Sequence, residues 1–267
     1  MGVVKAAIGD AVITFMWVFC VSTLGASTSI IASAIGIQGM ATLFITTVLV
    51  FFLVLVFNLI GDALGGASFN PTGTASFYAA GVGPDNLISM AFRFPAQALG
   101  AVGGALAIKE VMPLQYKHML GGPSLKVDLH TGAIAEGVLT FVISFAVLYI
   151  VLRGPSSPIL KVWLLAMSTV ALVVAGSSYT GPSMNPANSL YVLFTAMYYY
   201  DLEVLSLTKR VAGVGLSLQA FGWAYINNRH NTWEQFYVYW ICPFIGAILA
   251  AWVFRVLFPP PVKEKKA

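Results

Sequence analysis

The stretch GPSMNPAN, residues 181–188, decides how this chain folds, because GASFNPTG at 66–73 repeats it. The two share Gly, Ser, Asn and Pro at an offset of 115 residues. Each sits in an apolar stretch between two longer apolar runs, and each stretch is too short to cross a bilayer. Non-helical backbone at membrane depth survives only where protein or a water-filled cavity covers it. Proline suits the first turn of a helix, where its missing N–H would have no partner anyway. Asparagine just ahead of it is a good N-cap. Each motif therefore predicts a half-helix that starts in mid-membrane with its positive dipole end at the centre. A lone Asn-Pro reads as a turn; two of them in matching flanks do not.

Working outward, AIGDAVITF (7–15) aligns with AIAEGVLTF (133–141) at an offset of 126, and QALGA (97–101) aligns with PFIGA (243–247) at 146. Three matches in the same order argue for two homologous halves, repeat one over 1–110 and repeat two over 131–258. An odd number of spans per repeat turns the second half upside down in the membrane. The offset also jumps: 146 less 115 leaves 31 residues of surplus in the second half, after its Asn-Pro motif.

Composition agrees with a membrane protein. Of 267 residues, 58% are hydrophobic and 9% charged, with mean hydropathy +0.84, against roughly 25% charged in a soluble domain. Six apolar runs, 11–37, 40–60, 87–108, 132–152, 159–176 and 236–258, each cover the roughly 20 residues that a spanning helix needs. The first is too long, and carries Asp10, to be a cleaved signal sequence. With both termini cytosolic, the cytosolic segments hold eight cations, Lys5, Arg93, Arg153, Lys161, Arg255, Lys263, Lys265 and Lys266, against six on the other side. The net charge of +4 thus reads as membrane topology and not as a nucleic-acid surface. Cys20 and Cys242 lie in apolar spans and read as small core residues, without metal spacing. No His, Cys or Ser nucleophile pairs with a base at helical spacing, which argues against an intramembrane enzyme.

The residues GGASFNPTG, GPSMNPAN, FRFPAQALGAVGGALA and AFGWAYINNRHNTWEQFYVYW give the chain a resemblance to the aquaporins (major intrinsic proteins), above all the plant small basic intrinsic proteins. It covers residues 1–188 and 220–267. The resemblance implies an all-α membrane fold of six transmembrane helices plus two re-entrant half-helices in an inverted 3+3 repeat. It implies a passive channel for water and small neutral solutes, without cofactor or metal, in a homo-tetramer whose other surroundings are lipid. Asn70, Pro71 and Thr72, the last in place of the usual alanine, would meet Asn185, Pro186 and Ala187 at the pore centre. The filter positions fall at Val50, Val173, Pro182 and Asn188, where ordinary water channels carry an arginine at the last place. This filter is uncharged and apolar.

Asp10 and Glu136 are intramembrane carboxylates, a functional-site signal in themselves. In the aquaporin pattern such acids support the re-entrant loops, and a proton relay is disfavoured because His118, His130 and His230 all fall in predicted loops. Phe51, Phe52 and Trp163 read as lipid-facing or packing residues. Trp233, Tyr237, Tyr239 and Trp240 read as an interfacial aromatic belt, and GAVGGALA (100–107) as a close helix-packing face.

In the family pattern NPAN runs directly into AFGWAY, whereas here Ser189–Gln219 intervenes, 31 residues that equal the offset jump. DLEVLSLTKR brings four charges together, a poor pattern for a span because a central charge costs about 2.5–3.5 kcal/mol. A regulatory loop and a seventh short span are the other readings; a retained in-frame intron or misassigned splice junction is favoured. If the segment is present in the protein, the half-helix is expected to run from Ala187 to about Met197 on inserted residues and the pore to be weakened. A non-conducting or weakly conducting subunit that joins working channels is the alternative function. The tail PPPVKEKKA (259–267) resembles a dilysine signal for the endoplasmic reticulum through Lys263 and Lys265, with a plain positive-inside anchor as the other reading.

Overall fold

The computed structural model describes residues 2–181 and 218–259, and among them the secondary structure is helical with no strand. Six spans are long and apolar enough to cross a membrane: Val3–Ile35, Gly39–Ala63, Leu87–Val111, Leu129–Leu152, Pro158–Gly176 and Trp233–Leu257. Each coincides with one of the six apolar runs. The first span begins before its run, because the segment around Asp10 already winds into helix. It comprises α1 (Val3–Val21) and α2 (Leu24–Ile35). Between them the Ser22 hydroxyl donates to the Val18 carbonyl and Thr23 to that of Cys20, both at 2.7 Å. Such back-bonding draws carbonyls away from the helical ladder and bends the rod.

The next helices are α3 (Thr42–Ala63), α4 (Pro71–Ala79), α5 (Leu87–Val111), α6 (Leu129–Leu152) and α7 (Pro158–Gly176). Polarity runs inside out. Phe44, Leu99 and Val256 are more than three-fifths exposed, while Asp10, Thr14, Gln97, Glu136 and Thr140 are fully buried. Apolar groups on the outside and polar groups within suit a hydrocarbon solvent.

The internal repeat is visible in the packing. Gly100 of α5 lies so close to α1 that a Cβ there would overlap the Ala11 carbonyl, and Gly246 of the final span sits in the same way on the Gly137 carbonyl of α6. Shifting 11 by 126 and 100 by 146 gives 137 and 246, so one crossing is built twice. Gly104 repeats the approach one turn on, against the Phe15 carbonyl. Small residues let backbones meet where lipid supplies no hydrophobic drive. The caps are related too: Asn86 accepts from Ser89 N at the start of α5, and Thr232, 146 residues on, accepts from Gln235 N at the start of the final span.

α4 packs on the final span, and a short helix, Leu218–Ile226, packs on α5, where a Cβ on Gly222 would meet the Ala101 carbonyl oxygen at 2.7 Å. Shifting α4 by 146 gives 217–225, nearly the bounds of this short helix; shifting it by 115 gives 186–194. The helix related to α4 by packing therefore carries the larger offset, that of the last span. The expected continuation from Ala187 to Met197 lies outside the described residues.

Three assignments from sequence change. Arg93 is no loop cation but is buried within α5, which leaves seven cations against six in the topology count. Tyr239 is 1% exposed and so does not join Trp233, 62% exposed, in an interfacial belt. The π-helical turn Tyr237–Ile241 re-phases the span and turns Tyr239 inward. His130 lies in the first turn of α6 and not in a loop.

Candidate functional site: the entry to the half-helices

The chain leaves α3 and turns back into the protein at Gly65 and Gly66, with φ of 77° and 85°, a backbone that only glycine takes without strain. The amides of Gly66 and Ala67 both donate to the Gly61 carbonyl, at 2.9 and 3.1 Å, and close the turn. The Ser68 amide then donates to Asp10 Oδ1 at 2.8 Å. Ser68 Oγ accepts from the Asn70 amide and the Thr74 hydroxyl, both at 3.2 Å. Behind the turn, Trp17 stacks on Phe69 at 4.2 Å between ring centres and meets Phe57 edge-on at 5.0 Å.

Pro71 opens α4 and Asn70 caps it: Asn70 Oδ1 accepts from the Gly73 amide at 3.1 Å and from the Thr72 hydroxyl at 2.8 Å. With the oxygen engaged twice, the cap is formed from one end of the amide, and the Nδ2 hydrogens remain as donors. Gly73 fits closely under the cap, since a Cβ there would stand 3.2 Å from Asn70 Cγ and press on the capping side chain.

Asp10 is the hub. Besides Ser68 N it accepts from Arg93 Nε at 2.8 Å, Arg93 Nη2 at 2.9 Å and Gln97 Nε2 at 2.6 Å. Gln97 Nε2 also reaches the Ser68 carbonyl at 3.0 Å, and Arg93 Nη2 the Gly66 carbonyl at 3.1 Å. Arg93 Nη1 pairs with Asp85 at 2.7 Å. One guanidinium thus bridges two carboxylates and the lead-in loop. A buried pair of this kind is stabilising only while complete; removing one partner costs about 3–5 kcal/mol by stranding the other charge.

In repeat two Glu136 accepts from the Thr180 hydroxyl at 2.6 Å. The residue related to Arg93 there is Tyr239, and that related to Gln97 is Pro243, so the second acid is held differently. The lead-in segment is fixed by Lys126, whose amide donates to the Tyr179 carbonyl at 2.9 Å and whose Nζ donates to that of Ser177 at 3.0 Å. Asn185, Pro186, Ala187, Pro182 and Asn188 lie outside the described residues. Val50 on α3 and Val173 on α7, 2% and 1% exposed, come together in one apolar cluster.

Sequence reasoning placed Asp10 beside the re-entrant loop but missed Arg93 and Gln97. Their signal was present: a cation and an amide one turn apart in an apolar span, opposite a buried acid. It also noted Thr72 as a departure without seeing that its hydroxyl closes on Asn70.

Comparison with known proteins follows the same lines. The family model described as Major intrinsic protein matches residues 1–254. The chain is 59% identical to aquaporin SIP1-2 of Zea mays over 267 residues, covering 98% of this chain and 97% of that one. It is 51% identical to aquaporin SIP1-1 of Arabidopsis thaliana, covering 100% and 98%. In three dimensions it is similar to an aquaglyceroporin of Plasmodium falciparum, with a TM-score of 0.62 and 17% identity over 97% and 98% of the two chains. Six apolar spans, a duplicated crossing and a membrane-depth Asn-Pro half-helix accord with these likenesses, and the chain belongs to the aquaporin, or major intrinsic protein, family of channels.

Proposed function

We propose that this chain passes water, and with it small neutral solutes, passively and without a cofactor. The observation that carries the reading is α4: nine residues, about 14 Å of helix, less than half the roughly 30 Å of a hydrocarbon core, begun by Asn70-Pro71. Its positive end and the Nδ2 donors of Asn70 suit a water oxygen and disfavour cations. Asn185, Pro186 and Ala187 supply the mirrored set by repeat symmetry. Val50, Val173, Pro182 and Asn188 form an uncharged filter, while Asp10 and Glu136 brace the two loops. Homo-tetramer assembly in lipid and residence in the endoplasmic reticulum membrane, with both termini cytosolic, belong to the same reading. Stopped-flow swelling of proteoliposomes against water, glycerol and hydrogen peroxide tests it. Water flux above that of empty vesicles is expected, and none for any solute would refute the reading.

A second reading, a subunit that conducts weakly or not at all beside working channels, is favoured by one observation. The helix packed as α4's counterpart, Leu218–Ile226, is separated in sequence from Asn185-Pro186 by residues 187–217. Co-purification with a chain lacking residues 189–219 is its expected mark.

A further inference from the structure

The exit from α4 is fastened through a carboxylate, Asp85, to the same arginine that fastens its entrance. α3 ends and α5 begins on one face of the membrane, so the segment between them enters and leaves on that face with α4 inside it. On the way in, the Ser68 amide is held by Asp10, and the Gly66 carbonyl accepts from Arg93 Nη2 at 3.1 Å. On the way out, Asp85 Oδ1 accepts from Arg93 Nη1 at 2.7 Å and from the Ser89 hydroxyl at 2.9 Å. Gly66 and Asp85 bracket α4, so one guanidinium clasps both ends of the re-entrant segment. Arg93 is itself tied to rigid structure. It stands on α5 about two turns before Gly100, where the backbones of α5 and α1 touch, and its Nε and Nη2 bind Asp10 of α1. The connection between α4 and Asp85 turns on Gly81 and Gly83, with φ of 73° and 91°. Glycine has the widest backbone freedom, so this connection does not set the direction of α4 unaided. Exposed Arg255 of the final span adds a longer bond, 3.3 Å, to the Ala79 carbonyl.

We propose that Asp85 is a positioning residue for the pore: through Arg93 it fixes the tilt of α4, and so the direction in which Asn70 presents its Nδ2 donors and the helix its positive end. The proposal rests on the channel reading above. With the entrance held at Ser68 and the exit released, α4 pivots close to Asn70. That changes the aim of the amide and of the dipole more than their place. Exclusion of cations depends on this aim, whereas a water molecule needs only a donor within the lumen. Cation leak is therefore the sensitive quantity and water flux the insensitive one.

The charge on Asp85 matters to the clasp, since a hydrogen bond between ions is roughly twice as strong as a neutral one. Asp85 is also the outermost member, its side chain 19% exposed against 6% for Arg93 and 0% for Asp10. It can therefore be replaced without opening the buried pair of Arg93 with Asp10. The positions related to Arg93 and Asp85 by the offset of 146, Tyr239 and Asn231, carry no charge, so the clasp belongs to the first half-helix.

The test is paired water and potassium flux on proteoliposomes of the full chain, with melting in detergent alongside. D85A is expected to raise potassium leak about tenfold with water flux within about twofold of wild type, and D85E, which returns the charge, to be tight. S89A removes the other bond to the same carboxylate and breaks the cap of α5 while leaving Arg93 paired. It should lower the melting midpoint and keep the wild-type leak. If D85A fails to fold, D85N, which keeps the shape and an acceptor for Ser89 but not the charge, takes its place and should leak more than wild type. A D85A channel, or D85N in its place, as tight as wild type would overturn the proposal. So would an equal leak in S89A, or a leak that D85E does not relieve. A wild type without water flux overturns the channel reading and this proposal with it, whereas a conducting wild type beside a tight D85A overturns this proposal alone.

Discussion

Asn70 works with both ends of one amide. Its oxygen caps α4 and accepts from Thr72, which leaves the nitrogen as the donor end. Asn70→Asp keeps the shape and the cap but replaces donors with a negative charge where the half-helix dipole is positive. Potassium leak should rise while water flux changes little, and a variant with normal water flux and no leak would show that Asn70 does not guard the lumen. Thr72→Val removes the hydroxyl at nearly constant volume and should cost about 1 kcal/mol of stability, read as a lower midpoint in detergent melting. Thr72→Ala, the residue usual in the family, should behave alike, because the Gly73 amide still holds Asn70; melting unchanged in both would mean the hydroxyl contributes nothing. At this scale the sequence was legible where chemistry is local. Asn-Pro announces a cap and a first turn within three residues. The bonds from Arg93 and Gln97 to Asp10 span 83 and 87 residues, and nothing local to α5 says which partner such side chains will find.

Helices meet here through glycine, and the crossings rank themselves. A methyl on Gly246 would overlap the Gly137 carbonyl, a backbone atom that cannot step aside, while one on Gly103 meets the Phe15 ring edge at 3.1 Å, which can turn. Overpacking costs typically about 1–3 kcal/mol. Gly246→Ala should therefore lower the melting midpoint clearly and Gly103→Ala by much less; equal shifts would refute the ranking. The first of these crossings was readable in GAVGGALA as a run of small residues. Its twin at Gly246 sits beside Ala247 with larger residues on either side, and its match to Gly100 emerges from the offset of 146. Residue type misled at Tyr239, since aromatic character suggested an interface; the offset pairs it with Arg93, and the structure buries both. Helix phase across a π turn is set by backbone hydrogen bonding, and composition does not reveal it.

Over the whole molecule the two repeats share a frame and differ in its fastenings. Arg93 and Gln97 brace one lead-in loop; Thr180 and Lys126 serve the other. The six spans and the duplication were legible because membrane solvation writes them in hydropathy and spacing. The unequal fastenings were not, because each joins segments far apart in the chain. Deleting residues 189–219 joins Asn188 to Ala220 and makes the second half-helix continuous with Leu218–Ile226 lost only at its first turn. Water flux per channel should rise several-fold in the deletion, and equal flux in both forms would show that the surplus does not hinder the pore.

The separation of Leu218–Ile226 from its Asn-Pro start also bears on how readily the chain finds its fold. A start and a body joined directly close no loop, whereas here residues 187–217 lie between Pro186 and Leu218, and in the flexible-chain limit closing a connection of about 31 residues costs roughly 3 kcal/mol. That is of the same order as one tight helix crossing, so the packing of Gly222 on Ala101 has to hold in place a piece that its own sequence neighbours no longer deliver.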